Sequence, residues 1–195
     1  MCTEIYEYKQ QHQNNFENYF NLKEIDNDAE TLLNNFIDNK SNGLDNKNNL
    51  TDIIQIAKIM GFEIFHTQFE KDKRELSGMI GISENFKKDF GSEKIIILNS
   101  MDSDEHMLFT IAHEIAHYIY DYNPETHKEY FNKYKTDEIQ TDEEKRANRF
   151  AAAFLMPEKK FRAFFKTNKN INNLANEFKV PKTAVKQRII ELGLM

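Results

Sequence analysis

The segment His113-Glu114-Ile115-Ala116-His117 constrains this chain more than any other. On an α-helix, which advances about 100° per residue, two histidines four apart lie only about 40° apart on one face and one turn distant. That is the bite a tetrahedral Zn²⁺ needs. Glu114, about 100° round from His113, stands beside the pair, where it could take a proton from an attacking water. An ordinary helix with two surface histidines has the same pattern, so the flanking sequence has to decide.

Asp102-Ser103-Asp104-Glu105 fits a capping box, with acids suited to the positive end of a helix, and the pattern predicts a helix to about Tyr120. Leu108, Ile111, Ala112, Ile115 and Ile119 form its core stripe. Thr110, His113, Glu114 and His117 fall on the neighbouring face, which places the candidate ligands at the edge of the core. A catalytic zinc takes three protein ligands and keeps one position open. The single cysteine, Cys2, rules out a Cys-rich site, so the third ligand has to be His, Asp or Glu. Glu144 is the candidate. It opens a second helix with Glu144, Ala147, Asn148 and Ala151 on one face, and such small residues would let it approach Ala112 and Ala116. Thr141-Asp142-Glu143-Glu144 is also a capping box, so Glu144 could instead reach back to the Thr141 amide. Asn148 reads equally as support for the ligands or as a helix-packing amide.

Elsewhere, Ala29, Leu32, Leu33, Phe36 and Ile37 predict a helix from Asp26 ended by Ser41-Asn42-Gly43. A further helix is expected from an N-cap at Thr51 to Gly61. Alternation predicts strands at Phe62 to His66, Gly78 to Ile82 and Lys94 to Asn99, with Phe86 to Gly91 a loop. Asp121 to Gln140 reads as a polar flap over a cleft. His66 and His127 have no partner in the pattern and read as ordinary polar residues. The expected class is therefore α+β: a mainly helical domain with a small three-stranded, mostly antiparallel sheet.

The 195 residues suit one unit, and 30% charged against 39% hydrophobic residues describes a polar chain. No run approaches the roughly 20 apolar residues of a membrane span. The acidic start lacks the features of a secretory signal, so a cytoplasmic location is expected. Net charge is −6, divided between a tail from Met156 near +6 and an acidic remainder near −12. That balance argues against broad affinity for DNA.

His113 to His117, followed by Glu144-Lys145-Arg146-Ala147-Asn148-Arg149-Phe150-Ala151-Ala152-Ala153-Phe154-Leu155-Met156-Pro157, resembles the ImmA/IrrE family of zinc metallopeptidases. The second block carries most of the likeness, which extends through Gly61, Gly78, the Ile95 to Asn99 strand and Phe109-Thr110, and to the close of the chain at Leu174 to Val180 and Arg188 to Leu194. Ala116 replaces a frequent Gly and Pro181 a usual Ser, neither touching the chemistry. The resemblance implies a zincin-like fold and an HExxH site in which His113, His117 and Glu144 hold one Zn²⁺ or another divalent ion, with Glu114 as general base. It further implies cleavage of a helix-turn-helix repressor, releasing a mobile element or stress genes from repression.

Three regions are expected: an N-terminal helical arm over 1–45, a metallopeptidase core over 46–157 and a helix-turn-helix-like subdomain over 158–195 packed on the core. Tyr118, Tyr120, Tyr130 and Tyr134 are all possible donors to the tetrahedral oxyanion. The competing class is a regulatory module, either a non-cleaving anti-repressor or a DNA reader with a structural metal. In the DNA-reading case residues 171–192 would present Lys182, Lys186 and Arg188 to phosphate.

Overall fold

The computed structural model describes residues 22–38, 49–69, 76–135 and 141–194. Residues 1–21 of the expected arm, Cys2, the Ser41-Asn42-Gly43 helix end and most of the linker after it lie outside the described residues. In chain order the elements are α1 (Leu22–Asp38), α2 (Asn49–Ile59), β1 (Glu63–Thr67), β2 (Leu76–Ile82), α3 (Phe86–Phe90), β3 (Lys94–Asn99), α4 (Asp104–Tyr120), β4 (Tyr130–Lys135), α5 (Asp142–Leu155), α6 (Glu158–Thr167), α7 (Ile171–Phe178) and α8 (Lys182–Glu191). This is an α+β fold. None of the described helices is long and apolar enough to cross a membrane. Helix α1 begins ahead of Asp26, and α2 begins ahead of Thr51, so Thr51 lies inside the helix rather than at its cap.

Among the described residues the sheet has four strands, in the order β1-β3-β2-β4. β1 runs parallel to β3, and the other two pairings are antiparallel. The fourth strand corrects the expected three, because part of the anticipated flap is β4. Its alternation is real but weakly apolar: Tyr130, Asn132 and Tyr134 turn inward while Phe131 and Lys133 are exposed. Phe86 to Gly91 is likewise not a loop but the one-turn helix α3, closed by Gly91 at φ 74°. Phe86 and Phe90, four apart, cover the outer side of the sheet, Phe90 meeting Phe65 and Phe86 meeting Phe131 edge-on at centroid distances of 5.1 and 5.2 Å.

Helix α4 lies against the inner side of the sheet. The close approach depends on Gly78, where an added Cβ would sit 2.5 Å from the Thr110 methyl and 3.1 Å from the Ile97 carbonyl. With the sheet, α2 and α5 around it, α4 is buried without interruption from Leu108 to Tyr120. The histidines are therefore inside the core rather than at its edge. Ala112, Ala116 and Ala151 are fully buried and Ala147 nearly so, as the small-residue approach of α4 and α5 requires.

An ionic cluster ties α1 and α8 to α5. Asp26 on α1 accepts from Arg149 Nε and Nη2 at 2.7 and 2.6 Å, and from Arg188 Nη1 at 3.1 Å. Glu191 faces Arg149 at 2.9 Å. Arg188, expected to face phosphate in a DNA-reading helix, is fully buried here. Lys182 and Lys186 are exposed. Two arginines with two carboxylates leave the cluster neutral, and its paired geometry offsets the cost of removing the charges from water.

Candidate functional site

Ser103 starts α4 by accepting from the His106 N–H at 3.3 Å, and the helical register then carries His113 and His117 one turn apart. Their Nε2 atoms face each other at 3.0 Å. From α5, Glu144 brings Oε2 to 3.2 Å from His113 Nε2 and Oε1 to 3.2 Å from His117 Nε2. Among the described residues, these three offer one donor atom each within 4.8 Å of one another. The histidine side chains are 0 and 3% exposed, while Glu144 retains 23%. Glu144 does not have to choose between cap and cluster. Its backbone N–H donates to Thr141 Oγ1 at 3.4 Å, leaving the carboxylate free to turn toward the histidines.

Each histidine is anchored through its other ring nitrogen. His113 Nδ1 lies 2.9 Å from Asn148 Oδ1, and His117 Nδ1 lies 2.6 Å from Asp121 Oδ2. Acceptors at both Nδ1 positions place the protons there and leave the Nε2 lone pairs turned toward Glu144. Asn148 thus supports the cluster, one of its two anticipated roles. Asp121 was missed, although it follows His117 by four residues and its spacing on a helix was a usable signal. Arg146 holds the second Asp121 oxygen and packs over the Tyr120 ring at 5.1 Å.

Two lone pairs and a carboxylate converging at 3.0–3.2 Å make an unstable trio unless a proton or cation is shared. A tetrahedron with edges of that size has its centre about 2 Å from the corners, the Zn–N and Zn–O distance. The donor set fits zinc. Electrostatics carry the same signature. Burial is the strongest influence on His113 and lowers its pKa. Burial also opposes a charge on His117, but Asp121 and Glu144 outweigh it and raise that pKa to about 9. For Glu144, burial is outweighed by the two histidines, and its carboxyl is held well below the usual range.

Glu114 is completely buried, and neither of its carboxylate oxygens has a partner in full hydrogen-bonding geometry, although the Tyr134 backbone N–H lies near enough to favour the charged form. Burial, partly countered by His117, raises its pKa to about 8. Of the four tyrosines, two point elsewhere: Tyr118 accepts from Lys94 Nζ at 2.9 Å, and Tyr120 donates to Asp28 at 2.8 Å. Tyr134 packs on His113 with ring centroids 4.0 Å apart. Burial, reinforced by Glu144 and Glu114, raises its pKa to about 12, and burial raises that of Tyr130 further. His66 is exposed on β1, and His127 turns to Thr126 and Asn123, so neither joins the cluster.

A helix-borne histidine pair completed by a carboxylate from a second helix, inside an α+β core, defines a metallopeptidase-like domain. The chain belongs to the Peptidase_M78 family, the IrrE N-terminal-like domain, whose family model matches residues 58–189. The match includes the whole cluster together with Asn148, Asp121 and Tyr134. Among solved structures, a Mycobacterium tuberculosis transcriptional regulator is similar with a TM-score of 0.51 and 18% identity, over 96% of this chain and 51% of that one. The chain thus spans about half the length of that regulator, and at this identity the likeness bears on the fold. No curated protein matches the chain.

Proposed function

We propose that the chain is a zinc-dependent endopeptidase that cleaves a helix-turn-helix transcriptional repressor, acting in the cytoplasm to relieve repression of a mobile element or of stress genes. The observation that supports hydrolysis best is the unpartnered, fully buried Glu114 carboxylate beside the converging His113, His117 and Glu144. Membership of a peptidase family agrees with it. The choice of a repressor as substrate rests on the resemblance to ImmA/IrrE proteins.

His113, His117 and Glu144 are the proposed ligands. Zinc bound there would supply Lewis acidity, making a water acidic and polarising the scissile carbonyl. Glu114 takes the proton of the attacking water and delivers it to the leaving amine. This buried carboxyl accepts the proton in its ionised form, which a divalent ion held at the cluster would favour. Tyr130 and Tyr134, held protonated by their raised pKa values, are the available hydroxyl donors to the oxyanion. A DNA-reading role for α7 and α8 loses one of its three cations to the core, because Arg188 is buried against Asp26.

The test is metal analysis of the purified protein alongside His117→Ala, Glu144→Ala and Glu114→Gln. Each protein is incubated with purified helix-turn-helix regulators from its own genome. One metal per chain is expected, lost in the first two variants, with Glu114→Gln retaining metal but cutting nothing. Cleavage by a clean Glu114→Gln preparation would remove Glu114 as the base. Full metal content and activity in Glu144→Ala would remove Glu144 as the third ligand.

A further inference from the structure

A cleft of about 680 Å³ adjoins the cluster, lying between α5 and α8. Its lining includes Asn148 and Tyr134, both of which also contact the His113 ring. Phe109 and Ala152 line it with apolar surface, and Thr183 and Gln187 stand on its α8 wall. We propose that this cleft is the specificity subsite for the peptide substrate, with Thr183 and Gln187 as the residues that read it. The proposal rests on the peptidase reading above and adds to it the side chains that select the sequence.

The chemistry of the lining defines the occupant. Lys145 is engaged by Asp142 at 3.1 Å. Arg149 is taken up by Asp26 at 2.6 Å and Glu191 at 2.9 Å. The cations at the cleft are thus already matched by carboxylates. What remains for a ligand is apolar surface with uncharged hydrogen-bonding groups, the lining of a site that takes uncharged, mainly apolar side chains. Asn148 and Tyr134 belong both to the cleft wall and to the surroundings of His113, so such side chains would lie beside the scissile bond. Thr183 and Gln187 lie four apart on the exposed face of α8, and Gln187 donates to Glu191 at 3.3 Å, which turns its amide along the cleft. The second helix of the helix-turn-helix-like pair therefore presents its reading face to a peptide next to the candidate active site.

The test compares wild type with Gln187→Lys, Gln187→Glu and Thr183→Lys, all exposed positions at which folding is little disturbed. Glu177→Lys, on the exposed face of α7 away from the cleft lining, is the charge control. Each zinc-loaded protein is profiled with a positional-scanning peptide library. The same peptides are arrayed and probed for binding with Glu114→Gln versions, a readout that needs no catalysis. The expected result is that Gln187→Lys raises preference for acidic over basic side chains at least threefold at one or two positions on one side of the scissile bond. Gln187→Glu should shift the same positions the opposite way, and Glu177→Lys none. Cleavage with a profile unmoved by the α8 substitutions, or moved equally by Glu177→Lys, overturns the proposal and leaves the peptidase reading standing. Binding that follows the Gln187 charge without any cleavage supports the cleft and sinks the peptidase reading. Absence of both cleavage and Gln187-dependent binding overturns both.

Discussion

Replacing Glu114 by glutamine isolates the cost of keeping a carboxylate dry beside the two histidines. In the unfolded chain Glu114 ionises near 4.5, whereas in the folded protein it holds its proton to about 8. Its folded pKa is raised, so the folded state binds the proton more tightly. That contribution is complete below pH 4.5 and is lost as pH rises toward 8. At about 1.36 kcal/mol per pKa unit, the folded state gives up on the order of 3 kcal/mol between pH 5 and pH 8. His117 acts in the same direction. Raised to about 9, against its burial, by Asp121 and Glu144, it contributes stability below 6.5 that disappears by about pH 9. Glutamine has no proton to lose, and its own unpartnered amide costs roughly 1–3 kcal/mol at every pH. Urea unfolding of chelator-treated wild type and Glu114→Gln at pH 5, 6, 7 and 8 should therefore show the gap between them moving in favour of the variant by on the order of 3 kcal/mol. For a domain of this size that is roughly 6–12 °C in relative Tm. Two parallel pH curves, separated by a constant offset, would refute the account of Glu114 as a buried, unpaired acid.

Three other perturbations test the surroundings of the cluster. Asp121→Ala removes the acceptor of the His117 Nδ1 proton and should weaken zinc binding about 10- to 100-fold, as read by competition with a chromophoric chelator. Asp26→Ala leaves Arg149 and Arg188 to share Glu191, with one buried positive charge uncompensated, and should cost roughly 3–5 kcal/mol in urea unfolding while leaving metal stoichiometry unchanged. Gly78→Ala forces a methyl to within 2.5 Å of the Thr110 methyl and should cost about 1–3 kcal/mol. Thr110→Ser in the same chain deletes that methyl while keeping a hydroxyl for the His106 carbonyl, so it should restore most of the loss; no recovery would place the strain at the Ile97 carbonyl instead.

The parts of this fold that were legible in the sequence are those in which one strong local signal agrees with its surroundings. The capped start of α4 and the runs Ile95 to Leu98 and Met79 to Ile82 are of this kind, and each forms the element its pattern predicts. β4 was hidden because Asn132 occupies an inward position and Lys133 follows it, so its alternation is carried by tyrosines that a polar flap could also hold. α3 was hidden by its length, since a single turn carries no periodicity beyond one pair of phenylalanines. The burial of His113 and Glu114 escaped because periodicity identifies one apolar stripe, whereas α4 is enclosed on several sides by elements distant in sequence. Arg188 escaped for a related reason. Its charge predicts solvent unless the partner is known, and Asp26 lies far away along the chain on α1.

The same reasoning explains why the stretch from Glu144 onward identifies the family better than the histidine motif does. Two histidines on a helix require only a metal-sized gap between them. α5 has to satisfy several conditions at once, each with a different residue. Thr141 must cap its first turn with the Glu144 amide, which fixes where the helix starts. Glu144 must then fall one turn before Asn148, so that one residue meets both Nε2 atoms and the other holds His113 Nδ1. Ala147 and Ala151 must stay small to let α5 close on α4, and Arg146 must reach the carboxylate that orients His117. Arg149, one position beyond Asn148, must turn the other way to receive Asp26 from α1. A shift of one residue anywhere in this series would rotate the rest by about 100° and separate the carboxylate from the histidines. The proposed third ligand is thus specified by the helix that carries it, and Glu143, one step round and exposed, lacks that geometry.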